Sequence, residues 1–331
     1  MPQTVYAVIG SNCFTGSHIV DTLLEDPANY VIGFSRSPEK NAFFLPYKRH
    51  STKNFRFFQN DLVRQPEQLL TILDEFQPSC VMNVAALSEV YLSNFQPVEY
   101  FQTNCIGVAQ LCNELRTRNY LKRYIHISSA EVYGSCATPL LESAPLHPST
   151  PYAASKAAAD MYLTTLYKNF RFPVIITRFT NVYGRHQQLY KIIPRTIINL
   201  KKGQKTELHG GGKAIKTWIH IRDVANALVA TAQLGKPGEI YHFGDEHTYS
   251  VSHLVKMICQ WMGKDFKSGT QEVPERLGQD PKYVLDYSKA ERELSWFPQI
   301  SFEQGIKETI AWLEDNWSEV ERESLVYVHQ I

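Results

Sequence analysis

The sequence has few of the features that mark secreted, membrane-spanning or nucleic-acid-binding proteins. Its 331 residues include only six cysteines, scattered and without a Cys-x-x-Cys pair, so no disulfide framework is indicated. No apolar run approaches the roughly 20 residues of a membrane span, and no basic leader precedes the first apolar segment. The net charge of +1 gives no overall attraction to nucleic acid or to anionic membranes. We therefore expect a cytoplasmic protein without nucleic-acid or membrane partners.

The N-terminal segment carries the first positive signal. Val5–Ile9 is a continuous apolar run, typical of a strand buried on both faces of a parallel sheet. The loop Gly10–Gly16 (GSNCFTG) follows, and residues 17–24 then show helical spacing. Strand, glycine turn and helix in this order indicate a dinucleotide site. Gly10 permits the tight turn and Gly16 lets helix and strand approach closely, while the helix N-terminus faces a pyrophosphate.

Two residues near this loop leave alternatives open. Cys13 stands where the dinucleotide fingerprint has its middle glycine, and it is either a packing thiol or a helix-terminus thiol with a lowered pKa. We favour packing. The second predicted strand, Tyr30–Phe34, ends at Ser35 and Arg36 instead of at the acid that usually binds the NAD ribose. Arg36 is either solvated or suited to a 2′-phosphate, so we predict NADP in preference to NAD.

The alternation of strands and helices continues to about residue 180. Predicted strands at 55–59, 80–84, 124–128 and 174–177 alternate with helices at 66–76, 100–115 and 152–169. This order predicts an α/β fold, a Rossmann-type doubly wound parallel sheet with right-handed crossovers. The looser pattern after residue 185 predicts a smaller mixed α/β substrate-binding domain. We place the Rossmann domain at 1–184 and about 217–243, and the second domain at about 185–216 and 244–331.

A tyrosine and a lysine four residues apart carry the clearest chemical signal. Tyr152 and Lys156 lie near the start of an alanine-rich helix and share one of its faces, so the ammonium can favour the phenolate. A lone Tyr-x-x-x-Lys is common by chance. Here it follows a strand that ends in Ser128 and Ser129, in a chain that already has a dinucleotide loop. We therefore predict that the pair is catalytic.

With these motifs in place, the chain resembles the extended short-chain dehydrogenase/reductases, in the NAD-dependent epimerase/dehydratase family. The resemblance is closest to the nucleotide-diphosphate-hexose 4,6-dehydratases that act on dTDP-glucose or GDP-mannose. Besides the glycine loop, it rests on SSAEVYG (128–134), PYAASK (151–156), RFTNVYG (178–184), KIIP (191–194), WIHIRDV (218–224), DYSK (286–289) and LSW (294–296). These motifs follow the family's order from residue 5 to about 315.

The resemblance implies a reaction and a role for each catalytic residue. Tyr152 would take the proton of the sugar O4 hydroxyl, with Lys156 lowering its pKa and binding the ribose, and with Ser129 hydrogen-bonded to O4. The nicotinamide takes the C4 hydride, Glu131 removes the C5 proton, water leaves from C6 and the hydride returns to C6. NAD or NADP would thus be tightly bound and regenerated in each turnover. The alternative for Glu131 is a helix- or turn-capping acid.

One position departs from the pattern that the resemblance sets. Several of these dehydratases carry Asp between the hydroxyl residue and the Glu, as the acid that protonates the leaving C6 oxygen. This chain has Ala130 there. The leaving hydroxyl would then be protonated by Glu131 itself or by an ordered water.

The resemblance also implies the binding residues and the assembly. The substrate is a nucleotide-diphosphate sugar, and helices 104–116 and 152–169 would form a homodimeric four-helix bundle. Substrate contacts are expected from Ser129, Asn181, Lys191, Lys216 and Arg276. Cofactor contacts are expected from Gly10, Asn12, Cys13, Phe14, Thr15, Gly16, Ser35, Arg36, Asp61, Leu62, Ala85, Ala86, Asn104, Ser128, Tyr152 and Lys156.

Three other functions stay open at this point. A 4-epimerase of the same family would not need Glu131, and a UDP-glucuronate decarboxylase would need cations around C6. A non-catalytic NAD(P)-binding regulator would have little use for an intact Ser129, Tyr152 and Lys156. His220, His242 and His253 have no metal-ligand spacing, so we expect no metal site.

Overall fold

A computed structural model describes residues 4–278 and 280–327. Twelve strands lie in these residues. In chain order they are β1 (Thr4–Ile9), β2 (Asn29–Ser35), β3 (Phe55–Gln59), β4 (Cys80–Asn83), β5 (Arg123–Ile127), β6 (Val174–Phe179), β7 (Asn181–Tyr183), β8 (Thr206–His209), β9 (Ile215–His220), β10 (Ile240–Phe243), β11 (Thr248–Ser250) and β12 (Thr270–Val273).

The helices of the same residues lie between and after these strands. They are α1 (Phe14–Leu23), α2 (Pro66–Phe76), α3 (Val90–Ser93), α4 (Pro97–Phe101), α5 (Gly107–Leu115), α6 (Pro151–Phe170), α7 (Ile192–Lys201), α8 (Ile221–Leu234), α9 (Val251–Trp261), α10 (Phe266–Gly269), α11 (Ser288–Leu294), α12 (Phe302–Asp315) and α13 (Trp317–Arg322). Among the described residues, none of the helices has the length and apolar character needed to cross a membrane.

Seven parallel strands form the central sheet, in the order β10-β6-β5-β4-β1-β2-β3. Every residue of β4 and β6 is buried, because helices cover both faces of the sheet. One apolar cluster includes α1 and α8, and a second includes α2, α5 and α6. This arrangement confirms the predicted Rossmann-type doubly wound sheet.

The strand order reverses between β1 and β4, which is where ligands bind in such sheets. In the sheet register, Ile9 pairs with Phe34 of β2 and with Asn83 of β4. The chain segments that follow these three strands therefore leave the sheet at the same level. This register brings the glycine loop, Ser35 and the segment after β4 to one edge.

The predicted helix 100–115 is interrupted in the structure. A π-helical segment, Gln102–Ile106, separates α4 from α5. Within it, the Asn104 side chain accepts a hydrogen bond from the Leu87 amide at 2.9 Å and donates to the Leu87 carbonyl at 3.0 Å. It also donates to Ser155 Oγ at 3.0 Å. The wider turn thus ties the segment after β4 to α6, a tertiary requirement that local helical spacing does not reveal.

The remaining elements form a smaller mixed α/β region. Here β9 pairs in parallel with β7 and antiparallel with β11, while β8 and β12 form a separate parallel pair. A third apolar cluster holds α7, α9 and α12 together. Asn181, Lys191 and Tyr283 line the same cleft as the glycine loop, so this region forms the other wall of the site.

Candidate active site

A cleft of about 490 Å³ lies at the carboxyl ends of the central strands. Most of the predicted site residues line it: Gly10, Asn12, Cys13, Phe14, Thr15, Ser35, Arg36, Asp61, Leu62, Ala85, Ala86, Ser128, Ser129, Glu131, Tyr152, Lys156, Asn181 and Lys191. The structure places four others outside this lining: Gly16, Asn104, Lys216 and Arg276. Asn104 is fully buried and holds Leu87 and Ser155, so it supports the cleft wall from behind.

Two glycines keep the backbone of the loop close to its neighbours. Gly10 has φ +95°, and a Cβ atom on it would lie 2.8 Å from the Ala85 nitrogen. A Cβ atom on Gly16 would lie 2.2 Å from the Gly10 carbonyl oxygen. Backbone atoms cannot give way as a flexible side chain can, so both positions require glycine. Gly16 serves the packing of α1 against the loop, and this explains its place behind the cleft.

Cys13 caps the N-terminus of α1. Its Sγ accepts a hydrogen bond from the Gly16 amide at 3.3 Å. Burial raises the pKa of the Cys13 thiol above its ordinary value. This direction is opposite to that of an activated helix-terminus thiol, so the thiol acts here as a packing and capping group.

Asn12 joins the glycine loop to the chain after β2. Its backbone N–H donates to Ser35 Oγ at 3.0 Å, and its side-chain oxygen accepts from the backbone N–H of Lys40 at 2.9 Å. The exposed Arg36 and the partly buried Lys40 both line this end of the cleft. Asp61 also lines it, and its carboxylate accepts from the Val63 amide at 2.8 Å. This end of the cleft therefore carries two cations from the segment after β2.

The start of α6 places the Tyr–Lys pair. Thr150 Oγ1 accepts a hydrogen bond from the Ala153 amide at 3.2 Å, and Pro151 occupies the first helical position, so the helix begins here. Tyr152 then lies in the first turn and Lys156 one turn later, both in the cleft lining.

The environment of the pair sets its charge states. Burial and the nearby Glu131 raise the pKa of Tyr152, while a hydrogen bond with Ser129 lowers it. Burial lowers the pKa of Lys156 to about 8, with Asp160 acting in the opposite direction. Lys156 is 2% exposed and Tyr152 is partly exposed to the cleft, so solvent screens the phenol more than it screens the ammonium.

Glu131 reaches the cleft from a short 3₁₀ turn, Ala130–Tyr133. Ser129 Oγ caps this turn by accepting the Glu131 amide at 3.2 Å. Burial raises the pKa of Glu131 to about 7; Asp280 and Glu89 add to this rise, and Lys216 and Lys191 oppose it. Near neutral pH the acid and the carboxylate forms of Glu131 are therefore both populated. A group that first removes a proton and then returns it needs both forms.

The position before Glu131 offers no second acid. Ala130 is buried in an apolar cluster with Tyr133 and Leu285. Of the acid–base groups in the Ser129–Glu131 segment, Glu131 alone can exchange a proton with a ligand near neutral pH.

The predicted substrate residues differ in their placement. Asn181 Nδ2 donates to the Thr217 carbonyl at 3.2 Å, and Lys191 forms an ion pair with Glu89. Lys216 Nζ donates to the Asp280 carbonyl at 2.9 Å. The Arg276 residue is exposed and lies outside the cleft lining. Of the three cations predicted to bind substrate, Lys191 lines the cleft, whereas Lys216 and Arg276 do not.

Tyr283 is a cleft residue that the sequence motifs did not indicate. Its phenol is buried in the lining, is hydrogen-bonded with Asn181, and has a pKa raised by burial and by Glu131. Two isolated bridges, Ile215 with Lys282 and Leu140 with Leu285, bring it there. Such long-range pairing leaves no local pattern that could have identified the residue.

The cleft fits a nicotinamide dinucleotide on its own geometry. The glycines let the loop pack closely against its neighbours, and Phe14 and Thr15 at the N-terminus of α1 line the cleft. Lys156 and Tyr152 stand further along the same cleft. Residues for the phosphates and for the reactive end are thus present in one continuous site.

Comparison with known proteins decides the family. The family profile described as GDP-mannose 4,6 dehydratase matches residues 8–309. This chain belongs to that family. The predicted membership of the epimerase/dehydratase group, with its closest resemblance to nucleotide-sugar 4,6-dehydratases, is confirmed.

Members of the family align with almost the whole chain. The dTDP-D-glucose 4,6-dehydratase of Homo sapiens is 32% identical over 326 residues, covering 95% of this chain and 92% of the relative. That of Haemophilus influenzae is 32% identical over 328 residues, covering 92% and 96%. The crystal structure of DesIV, the dTDP-glucose 4,6-dehydratase of Streptomyces venezuelae with NAD bound, has a TM-score of 0.89 and 31% identity, covering 96% of this chain and 98% of that chain.

Proposed function

We propose that this protein is an NAD(P)-dependent nucleotide-sugar 4,6-dehydratase. It converts a nucleotide-diphosphate hexose, or N-acetylhexosamine, to the 4-keto-6-deoxy sugar. The observation that carries the proposal is the Glu131 side chain, with a pKa of about 7, in the same cleft as Ser129, Tyr152 and Lys156. Family membership and the dehydratase relatives support the same reaction.

The residues divide the chemistry between them. A nicotinamide dinucleotide held by the glycine loop and Lys156 would supply the hydride acceptor for oxidation at C4 and the hydride donor for C6. Tyr152 takes the O4 proton and is hydrogen-bonded with Ser129. The Lys156 ammonium, one turn later on the same helix, is the cation that would stabilise the phenolate. Glu131 takes the C5 proton of the resulting ketone and gives it to the C6 oxygen, which leaves as water. C5 then regains one proton and Tyr152 releases one, so the protein returns to its starting state.

The proposal is tested with a panel of nucleotide-diphosphate hexoses analysed by mass spectrometry. We expect one substrate to yield a product lighter by one water, with no net change in NAD(P)H. Glu131→Gln should abolish this product, because an amide cannot take the C5 proton. The matched control is Glu75→Gln, at an exposed position on α2, which should retain activity. Dehydration that survives Glu131→Gln would overturn the assignment.

A second candidate, a 4-epimerase, is favoured by one observation. Ala130 leaves the cleft without the second acid that assists departure of the C6 oxygen in several dehydratases. An epimerase would give a product of unchanged mass whose formation does not need Glu131. The same panel therefore separates the two reactions.

We also infer a preference for NADP. Arg36 and Lys40 line the cleft beside the end of β2, and a 2′-phosphate would pair with such cations. The crystal structure of DesIV contains NAD, so this similar protein would favour NAD instead of NADP. Titration of the protein with each dinucleotide should give the lower dissociation constant for NADP, and Arg36→Ala should remove most of the difference. A lower constant for NAD would contradict this preference.

A homodimer is proposed from exposed apolar side chains on neighbouring helices. Ile106 and Met161 are 44% and 57% exposed, next to α5 and on α6, and Val98 on α4 is 73% exposed. Pairing of these helices between two copies as a four-helix bundle would cover them. Met161→Glu should shift the sedimentation coefficient to that of a monomer. A monomeric wild-type protein would contradict the proposal.

The domain division and the location of the protein are also proposed. We assign 1–184 and about 217–243 to the Rossmann domain, and about 185–216 and 244–331 to the nucleotide-sugar domain. The return of β10 to the main sheet supports this division, whereas β7 and β9 at its boundaries pair outside that sheet. We infer a cytoplasmic location, which the six free cysteines support because disulfides persist in oxidising compartments.

A further inference from the structure

A buried polar cluster lies behind the Tyr–Lys pair, and the reaction described so far does not use it. Tyr152, Lys156 and Asp160 are spaced four residues apart and so share one face of α6. His126 of β5 meets this face: its Nε2 lies 3.3 Å from Lys156 Nζ. His126 is fully buried and Lys156 is 2% exposed, so water does not compete for this contact.

Lys156 has no direct ion pair with a carboxylate in the part of the chain that the structure describes. Asp160 is engaged elsewhere, because its Oδ2 accepts from Arg178 at 3.0 and 2.8 Å and from Ser128 Oγ at 2.9 Å. Its Oδ1 lies 3.8 Å from His126 Nε2 and accepts no hydrogen bond from the described residues. Within residues 4–278 and 280–327, the acceptor at hydrogen-bond distance from the Lys156 ammonium is therefore His126 Nε2, at 3.3 Å.

This contact fixes the tautomer of His126. An ammonium group only donates hydrogen bonds, so Nε2 must present its lone pair and the ring proton must sit on Nδ1. Burial and the neighbouring cations Lys156 and Arg178 lower the pKa of His126 well below its ordinary value, so the ring is neutral. Nδ1 is buried and makes no hydrogen bond with the described residues. The ring therefore uses Nε2 to contact Lys156, although Nδ1 stays without a hydrogen-bond partner among the described residues.

We propose that His126 is a positioning residue for the catalytic Lys156. By accepting one ammonium N–H from behind, it fixes the direction of the group and leaves two N–H bonds for the cleft. It also stabilises the charged form of a lysine that burial would otherwise neutralise. The proposal rests on the proposed function only in taking Tyr152 and Lys156 as the catalytic pair.

The proposal sets the direction of a pH effect. The titratable groups that face Lys156 are His126 on β5, Asp160 on α6 and Cys105 in the π-helical segment. Loss of the His126 acceptor lowers the pKa of Lys156, so less ammonium is available to favour the Tyr152 phenolate. The alkaline limb of the rate profile, along which Lys156 loses its proton, then moves to lower pH.

The tautomer can be measured on the wild-type protein without any turnover. A long-range ¹H–¹⁵N correlation spectrum of ¹⁵N-histidine-labelled protein, assigned with His126→Gln, should show His126 neutral with its proton on Nδ1. A proton on Nε2, or on both nitrogens, would overturn the proposal, because such a ring cannot accept from Lys156. This readout stays valid if no nucleotide sugar is dehydrated, so failure of the proposed function is distinguished from failure of this inference.

Two variants then test the consequence for catalysis. His126→Leu removes the acceptor at similar volume, whereas His126→Gln keeps an amide oxygen. We expect His126→Leu to lower kcat about tenfold or more, with the alkaline limb moved down by about one pH unit and the sugar-nucleotide KM little changed. His126→Gln should recover most of the rate and the wild-type profile. Equal losses in both folded variants with an unmoved pH profile would show a merely structural role and contradict the proposal.

Discussion

Substitution of Glu131 by glutamine should stabilise the protein while it removes the proposed activity. Burial raises the pKa of this side chain from 4.5 to about 7. Between these values the folded protein holds a proton that the unfolded chain has released, so stability falls as the pH rises through this range. Glutamine resembles the protonated acid and has no charge to bury, so the variant does not lose this stability.

The magnitude follows from the same shift. A rise from 4.5 to about 7 corresponds to about 3 kcal/mol of destabilisation by the ionised form above pH 7. Glu131 is only partly buried by surface area and faces an open cleft, so solvent reduces this value. We expect Glu131→Gln to be more stable than the wild type by about 1–3 kcal/mol at about pH 8, with no difference at about pH 4.5.

Urea unfolding of both proteins between about pH 5 and about pH 8 measures this difference. Glu75→Gln is the matched control, since Glu75 is exposed and should show no pH-dependent change. An increase in the free energy of unfolding that is equal at about pH 5 and about pH 8 would refute the reasoning. So would a variant that is less stable than the wild type at about pH 8. Either result would mean that burial does not hold the carboxyl group in its acid form.

Three further substitutions test other parts of the structure. Gly16→Ala places a Cβ atom 2.2 Å from the Gly10 carbonyl oxygen and should abolish retention of the dinucleotide, measured by absorbance of the purified protein; full occupancy would contradict the packing argument. Asp160→Asn leaves the buried Arg178 without its carboxylate and should cost about 3–5 kcal/mol in urea unfolding, whereas a cost below about 1 kcal/mol would not fit. Thr150→Ala removes the N-cap of α6 and should lower the free energy of unfolding by about 1 kcal/mol. An unchanged urea midpoint would contradict this.

The central sheet was predictable because its signals are local. The strand bounds predicted for 55–59 and the helix predicted for 66–76 agree with β3 and α2. Continuous apolar runs mark strands buried on both faces, as in the fully buried β6. The π-helical break at Gln102–Ile106 was missed, because it serves the contacts of Asn104 with Leu87 and Ser155 rather than any local preference.

The candidate site was predictable only where its residues fall in compact motifs. Ser129, Glu131, Tyr152 and Lys156 belong to two such motifs and meet in one cleft. The contact of His126 with Lys156 and the placement of Tyr283 arise from tertiary packing, so the sequence pattern carries no sign of them. The predicted roles of individual residues in binding and catalysis remain predictions for the variants described above.

The central claim is tested most directly by the fate of the hydrogen at C4 of the substrate. A nucleotide-diphosphate hexose labelled with deuterium at C4 should give a product that is lighter by one water and carries the deuterium in its C6 methyl group. That result requires transient oxidation at C4, elimination across C5 and C6, and return of the same hydride. A product of unchanged mass with deuterium still at C4, or a dehydrated product without deuterium, would contradict the account.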